Sequence, residues 1–138
     1  MNKANNNQPD FFPKTRYMGS KEKLLPYLGD IFKSIEFETC IDLMSGTSVV
    51  SYLLKSMNKE VISNDFLKMN YYFSKATIEN SFIKLNDEDI DEILLEKHNS
   101  GFIYEKFRNL YFSDEDTIFI ENTLNNIISI KDQYKRSI

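Results

Sequence analysis

Between Lys23 and Ser34 the apolar positions Leu24, Leu28, Ile31 and Phe32, followed by Ile35, recur at helical spacing. Such a repeat gathers side chains into one stripe that faces a core. Pro26 suits this helix if it falls in the first turn, where its missing N–H has no intrahelical partner. Thr39 to Met44 is a short apolar run that stops at Ser45-Gly46-Thr47, a turn signal, so it reads as a buried strand. Val49, Val50, Leu53, Leu54 and Met57 then mark one face of a second helix. Glu60 to Ser63 is a second short strand closed by Asn64-Asp65, and Phe66 to Asn80 reads as a third helix. Helices alternating with short strands predict a βαβ unit with a parallel sheet, an α/β fold.

After Asn80 the pattern changes. Asn86 is a candidate cap for a helix from Asp87 to Glu96. Asn99-Ser100-Gly101 interrupts the chain, and the aromatic stretch Phe102 to Phe112 is read as helical. Ser113 is a second cap, and Ile120, Leu124, Ile127 and Ile128 supply the expected apolar face of the helix that follows. No strand is expected here. The organisation read from the sequence is a disordered lead-in over 1–12, a βαβ portion over 13–80 and a helical segment over 81–138. The last helix meets no stop signal before Ile138, so the chain reads as interrupted there.

Composition narrows the function classes. The net charge is −4, whereas a free-standing DNA-binding domain is normally basic because phosphate contacts carry its affinity. Alone, the chain is expected to bind DNA weakly. Cys40 is the single cysteine; it excludes an internal disulfide, reads as a small core residue and fits a reducing cytoplasm. No apolar run is long enough to span a bilayer. His98 is the lone histidine and lacks Cys or His partners, so no metal site is expected. The acidic runs at Asp87 to Asp91 and Asp114 to Asp116 sit at predicted helix starts, where negative charge is stabilising. Tyr71-Tyr72-Phe73 offers stacking surfaces for bases, but core packing is the preferred reading.

Three short segments carry candidate chemistry. Arg16-Tyr17-Met18-Gly19-Ser20-Lys21 precedes the first helix. Its Gly admits close backbone approach, its aromatic can stack on a flat ring and its Lys can meet a carboxylate; the plainer reading is a loop with a cap at Ser20. Asp42-Leu43-Met44-Ser45-Gly46-Thr47-Ser48 joins the first strand to its helix, the place where doubly wound sheets hold nucleotides. It has neither G-x-G-x-x-G nor a P-loop Gly-Lys-Ser/Thr, which favours a ligand without a phosphate chain over a phosphate one; an ordinary βα turn is the equal alternative. Asp65 stands 23 residues after Asp42, where an acid either reaches ribose hydroxyls or caps the next helix.

In this order the three segments resemble the Dam-type DNA adenine methyltransferases of bacteria and phages. Arg16-Tyr17-Met18-Gly19-Ser20-Lys21 is similar to the family's opening motif, Asp42 to Thr47 to its cofactor loop, and Val61-Ile62-Ser63-Asn64-Asp65 to its second strand. Met44 stands where the family usually has Phe, and Ser48 where it often has a second Gly. The resemblance implies a partial Rossmann-like fold that binds S-adenosylmethionine. It implies Tyr17 against the adenosyl group, Gly19 and Lys21 at the methionine end, and Asp42, Met44, Ser45 and Gly46 as the pocket floor, with Asp65 on the ribose. The reaction implied is methyl transfer to the amino nitrogen of adenine in DNA, with no metal. The family's catalytic Asp-Pro-Pro-Tyr motif has no counterpart, because Pro9, Pro13 and Pro26 are isolated and precede the loop. No catalytic residue is therefore assigned, and the chain alone is expected to lack activity. A complementing chain, or a non-catalytic role as a cofactor-binding or docking module, is the alternative. Strand-facing apolar surface left bare would then promote self-association.

Overall fold

The computed structural model describes residues 18–97 and 101–138. Tyr17, Arg16 and His98 therefore lie outside the described residues. The chain forms two compact units, Met1–Ser81 and Phe82–Ile138.

The first unit is mixed α/β. A single 3-10 turn, Glu22–Leu24, leads into α1 (Leu25–Lys33), with Pro26 in its first turn. There follow β1 (Thr39–Asp42), α2 (Val49–Ser56), β2 (Glu60–Ser63) and α3 (Lys68–Ser74). The strands pair in parallel, Thr39 with Glu60 through Asp42 with Ser63. The first strand is thus shorter than its apolar run: Leu43 and Met44 belong to the turn and are exposed.

The α1 stripe is shifted by one position from the expected one. Leu25 and Gly29 are buried and Leu28 and Phe32 half-buried, while Leu24, Ile31 and Ile35 face solvent. Gly29 faces α2, where a Cβ built on it would lie at an ordinary contact distance of 3.9 Å from Leu53 Cδ2. Leu25, Val49 and Leu53 form the small core, flanked by Leu28, Phe32, Val50 and Met57.

One face of the sheet carries Cys40, Asp42, Val61 and Ser63, half-buried towards α2. Cys40 is thus not a fully buried core residue; its thiol lies 3.7 Å from Glu60 O, and burial, then Asp42, push its pKa up against the opposing pull of Lys59. The other face is bare. Ile41 and Ile62 stand in register there, 62% and 58% exposed. All-parallel sheets are normally covered on both faces.

The third helix does not run unbroken to Asn80. After α3 the backbone widens into a π turn, Lys75–Glu79. Its released carbonyls are collected by Lys55, whose Nζ donates to Thr77 O (3.1 Å), Ile78 O (2.7 Å) and Asn80 O (2.7 Å). Burial pushes the Lys55 pKa down. Tyr71 and Tyr72 are exposed rather than core residues, and they pack edge to face on each other. An open cleft beside β2 is lined by Val61, Ser63, Tyr71, Lys75 and Ile78.

The second unit holds α4 (Asp87–Leu94), α5 (Phe102–Phe107) and α6 (Asp114–Ser129). Asn86 opens α4 with a reciprocal capping box: it accepts from Asp89 N at 2.8 Å and gives its own N–H to Asp89 Oδ2 at 2.9 Å. Lys135 adds an ion pair to Asp89 at 2.7 Å. Ser113 caps α6 by accepting from Asp116 N at 3.1 Å. The stretch read as a helix to Phe112 ends at Phe107, and Asn109, with φ +57°, turns the chain so that Arg108 and Phe112 form an isolated bridge.

The buried face of α6 is polar, contrary to the expected apolar one. Thr117, Glu121, Asn122 and Asn126 are buried, while Leu124 and Ile128 are exposed. These polar groups satisfy helix ends that would otherwise be orphaned. Glu121 Oε2 accepts from Ile103 N (2.6 Å) and Tyr104 N (3.2 Å) at the start of α5. Asn126 Nδ2 donates to Ile93 O (3.0 Å) and Leu95 O (2.9 Å) at the end of α4.

Candidate functional site

Parallel pairing puts the carboxyl ends of β1 and β2 side by side, so the two following loops meet. Asn64 N donates to Asp42 O at 2.8 Å and Ser45 N to Asn64 O at 3.0 Å, extending the ladder past the strands. Asn64 Nδ2 donates to Leu43 O at 3.0 Å. A side-chain bond then crosses between the loops: Gly46 N–H donates to Asp65 Oδ2 at 2.8 Å. Gly46 has φ +55°, a backbone that aims its N–H at the carboxylate and that Gly adopts without a Cβ penalty.

Asp65 serves its own side as well. Its Oδ1 accepts from Leu67 N and from Asn70 Nδ2, both at 2.9 Å, which orients the start of α3. The Leu67 N–H, then the Asn70 amide and the Gly46 N–H, hold the Asp65 carboxyl below the usual carboxylate range. The residue is half-buried.

Of the residues singled out in the sequence, Asp42, Ser45, Gly46 and Asp65 are joined here by hydrogen bonds. Ser45 is buried. Asp42 directs Oδ2 inward, where it accepts from Ser51 Oγ at 2.7 Å. Met44 stands 86% exposed at the rim rather than under the loop. Gly19 and Lys21 occupy a turn of their own: Gly19 has φ +84° with open space around it, and Lys21 Nζ reaches back to Gly19 O at 3.5 Å. Ser48 adopts φ +63° immediately before α2, a left-handed backbone costly for a residue with a Cβ.

The sequence reading passed over two side chains at these strand ends. Leu43 and Phe66 are exposed there, Phe66 at 96%, next to Asp65. Large apolar groups beside a carboxylate suit a ligand with a flat apolar ring and vicinal hydroxyls. The sequence signal was adjacency: each directly follows an acid at a strand end. Among the described residues, no cluster of three or more His, Cys, Asp or Glu side chains could hold a metal. Nor, among them, is any helix long and apolar enough to cross a membrane.

Comparison with known proteins gives a consistent picture. Residues 17–137 match the family described as D12 class N6 adenine-specific DNA methyltransferase. The chain is similar to Type II methyltransferase M2.HphI of Haemophilus parahaemolyticus, 29% identical over 127 residues, covering 92% of this chain and 38% of that protein. It is also similar to Modification methylase StsI of Streptococcus sanguinis, 42% identical over 80 residues, covering 51% of this chain and 12% of that protein. The chain thus spans well under half the length of either relative. No solved structure matches.

Proposed function

Given that the chain belongs to the D12 class of N6 adenine-specific DNA methyltransferases, we propose that its first unit binds S-adenosylmethionine at the carboxyl ends of β1 and β2. The unit is then part of a Rossmann-like methyltransferase fold, extending over residues 13–80, and the whole enzyme methylates the amino nitrogen of adenine in DNA. When bound, the cofactor supplies an activated methyl group on a sulfonium. What this chain supplies is position and charge.

The observation that carries the reading is the bond from Gly46 N–H to Asp65 Oδ2. It fixes the two loops in one arrangement and presents a carboxylate at a strand end, where α/β sheets bind nucleosides. An ionised carboxylate offers about four lone-pair sites. The N–H groups of Gly46, Leu67 and Phe66 and the Asn70 amide already engage it, so a ribose hydroxyl would share an oxygen with these donors. Leu43, Met44 and Phe66 provide apolar surface for the adenine ring. Asp42, Ser45 and Gly46 form the floor, with Gly19 and Lys21 at the methionine end and Tyr17, as the resemblance implies, against the adenosyl group. No metal takes part.

DNA is the partner of the complete enzyme. In the second unit acidic residues outnumber basic ones, so phosphate contacts fall elsewhere and this chain binds DNA weakly by itself. With no Pro-Pro pair it does not transfer methyl groups alone. A second reading, one half of a split methyltransferase completed by another chain, is favoured by the bare sheet face at Ile41 and Ile62. A cytoplasmic setting fits the free thiol of Cys40.

The test is calorimetric titration of the folded chain with S-adenosylhomocysteine. Micromolar binding that Asp65→Asn abolishes is expected. A folded chain that binds nothing would remove the cofactor reading and leave a docking module.

A further inference from the structure

Beneath the loop after β1 lies a continuous line of hydroxyls from four elements. Ser51 Oγ donates to Asp42 Oδ2 at 2.7 Å and lies 2.9 Å from Ser63 Oγ. Ser74 Oγ donates to Ser63 Oγ at 3.2 Å and lies 2.7 Å from Ser48 Oγ. Ser48 and Ser51 are fully buried and Ser74 nearly so.

The direction of the line follows from its end. A carboxylate accepts, so the Ser51 proton is committed to Asp42, and Ser51 must accept from Ser63. Ser74 has given its proton to Ser63, so it must accept from Ser48. Along the shortest contacts the protons therefore run from Ser48 through Ser74, Ser63 and Ser51 to Asp42, each bond polarising the next; two longer contacts of 3.5 Å, Ser63 Oγ to Ser48 Oγ and Ser45 Oγ to Ser74 Oγ, branch from this line. Ser48, the far end, is the residue held at φ +63°. Glycine would take that backbone without penalty, whereas serine needs something to hold it there.

We propose that Ser74 is a positioning residue for the loop 43–48, acting through Ser48: its hydroxyl keeps Ser48 left-handed and so keeps Gly46 N–H aimed at Asp65. The proposal rests on the reading of that loop as the cofactor site. Ser74 lies 26 residues from Ser48 in the chain and makes no claim on the ligand itself.

A double-mutant cycle on the full chain tests it, with S-adenosylhomocysteine as the titrant. Ser74→Ala should weaken binding about tenfold, the effect of losing one buried hydrogen bond. In a Ser48→Gly background, where the backbone needs no holding, Ser74→Ala should have no further effect, whatever Ser48→Gly does alone. An equal loss in both backgrounds, or no loss in the first, overturns the proposal. If Ser74→Ala alone fails to fold, recovery of folding and binding in the double variant supports it, and failure of both overturns it. The three-bond HN–Hα coupling of Ser48 gives a readout independent of ligand. It should change in Ser74→Ala, and an unchanged value refutes the inference. Absence of wild-type binding would instead count against the cofactor reading, leaving this coupling to decide the role of Ser74.

Discussion

Replacing Asp65 by alanine should destabilise the first unit as well as remove a ligand contact, and the size of the effect can be built from its partners. The carboxylate accepts from Gly46 N, Leu67 N and Asn70 Nδ2. Leu67 is exposed, so water replaces much of its bond, and losing this turn ahead of α3 costs about 1 kcal/mol. Asn70 is fully buried; taking an acceptor from its amide away from solvent costs about 1–3 kcal/mol. The sum is about 2–4 kcal/mol. Urea unfolding measures it as a lower midpoint at unchanged slope. A loss under about 0.5 kcal/mol, typical of a surface substitution, would show that Asp65 does not knit the two loops. Asp65→Asn keeps one carbonyl acceptor and should cost less stability, which makes it the better variant for binding.

Gly101→Ala should destabilise the second unit by about 2–4 kcal/mol. Its Cβ would lie 2.5 Å from Glu121 Oε1 and displace the carboxylate that caps α5; a melting temperature equal to wild type would contradict this. Gly29→Ala, where the new Cβ meets only Leu53 at 3.9 Å, should instead stabilise α1 by about 0.5–1 kcal/mol, and a lower melting temperature would refute it. Lys55→Met should cost about 1.5–3 kcal/mol by stranding three carbonyls of the π turn, with amide exchange faster at 75–80; unchanged exchange would oppose the assignment. Asp65 and Asp89 both titrate below their ordinary range when folded. Their stabilisation is therefore complete above the unfolded value near pH ~4 and is lost as pH falls through the lower folded values. Denaturation midpoints should be flat from neutrality to about pH 5 and drop below pH 4, and an Asp65→Asn, Asp89→Asn variant should show a shallower acid limb.

The parts legible in the sequence were those fixed by local chemistry. Glu60–Ser63 is a strand at the expected limits, and Asn86 and Ser113 cap the expected helices. What was misread depended on partners distant in sequence. The α1 stripe moved by one residue because Leu25 packs with Val49 and Leu53 of α2. The α6 face was misassigned because periodicity assumes that apolar residues go inside. Here, buried Glu121 and Asn126 are needed by the ends of α5 and α4. Around the proposed site, spacing drew attention to Gly46 and Asp65, and the structure bonds one to the other. The αL backbone of Ser48 was foreshadowed by its place where the related enzymes often have glycine, yet its partner Ser74 carried no sequence signal. Asp65 was read as either ribose ligand or helix cap; in the structure it closes a turn onto Leu67 N, and Leu67, not Asp65, stands at the N-cap of α3.

The most direct test of the central claim is to add S-adenosylmethionine to isotopically labelled chain and follow the backbone amides by NMR. The account predicts shifts concentrated at 42–48 and 65–67, with Gly46 among the largest, and little change at 101–130. Shifts spread elsewhere, or none in a folded chain at millimolar ligand, would contradict it.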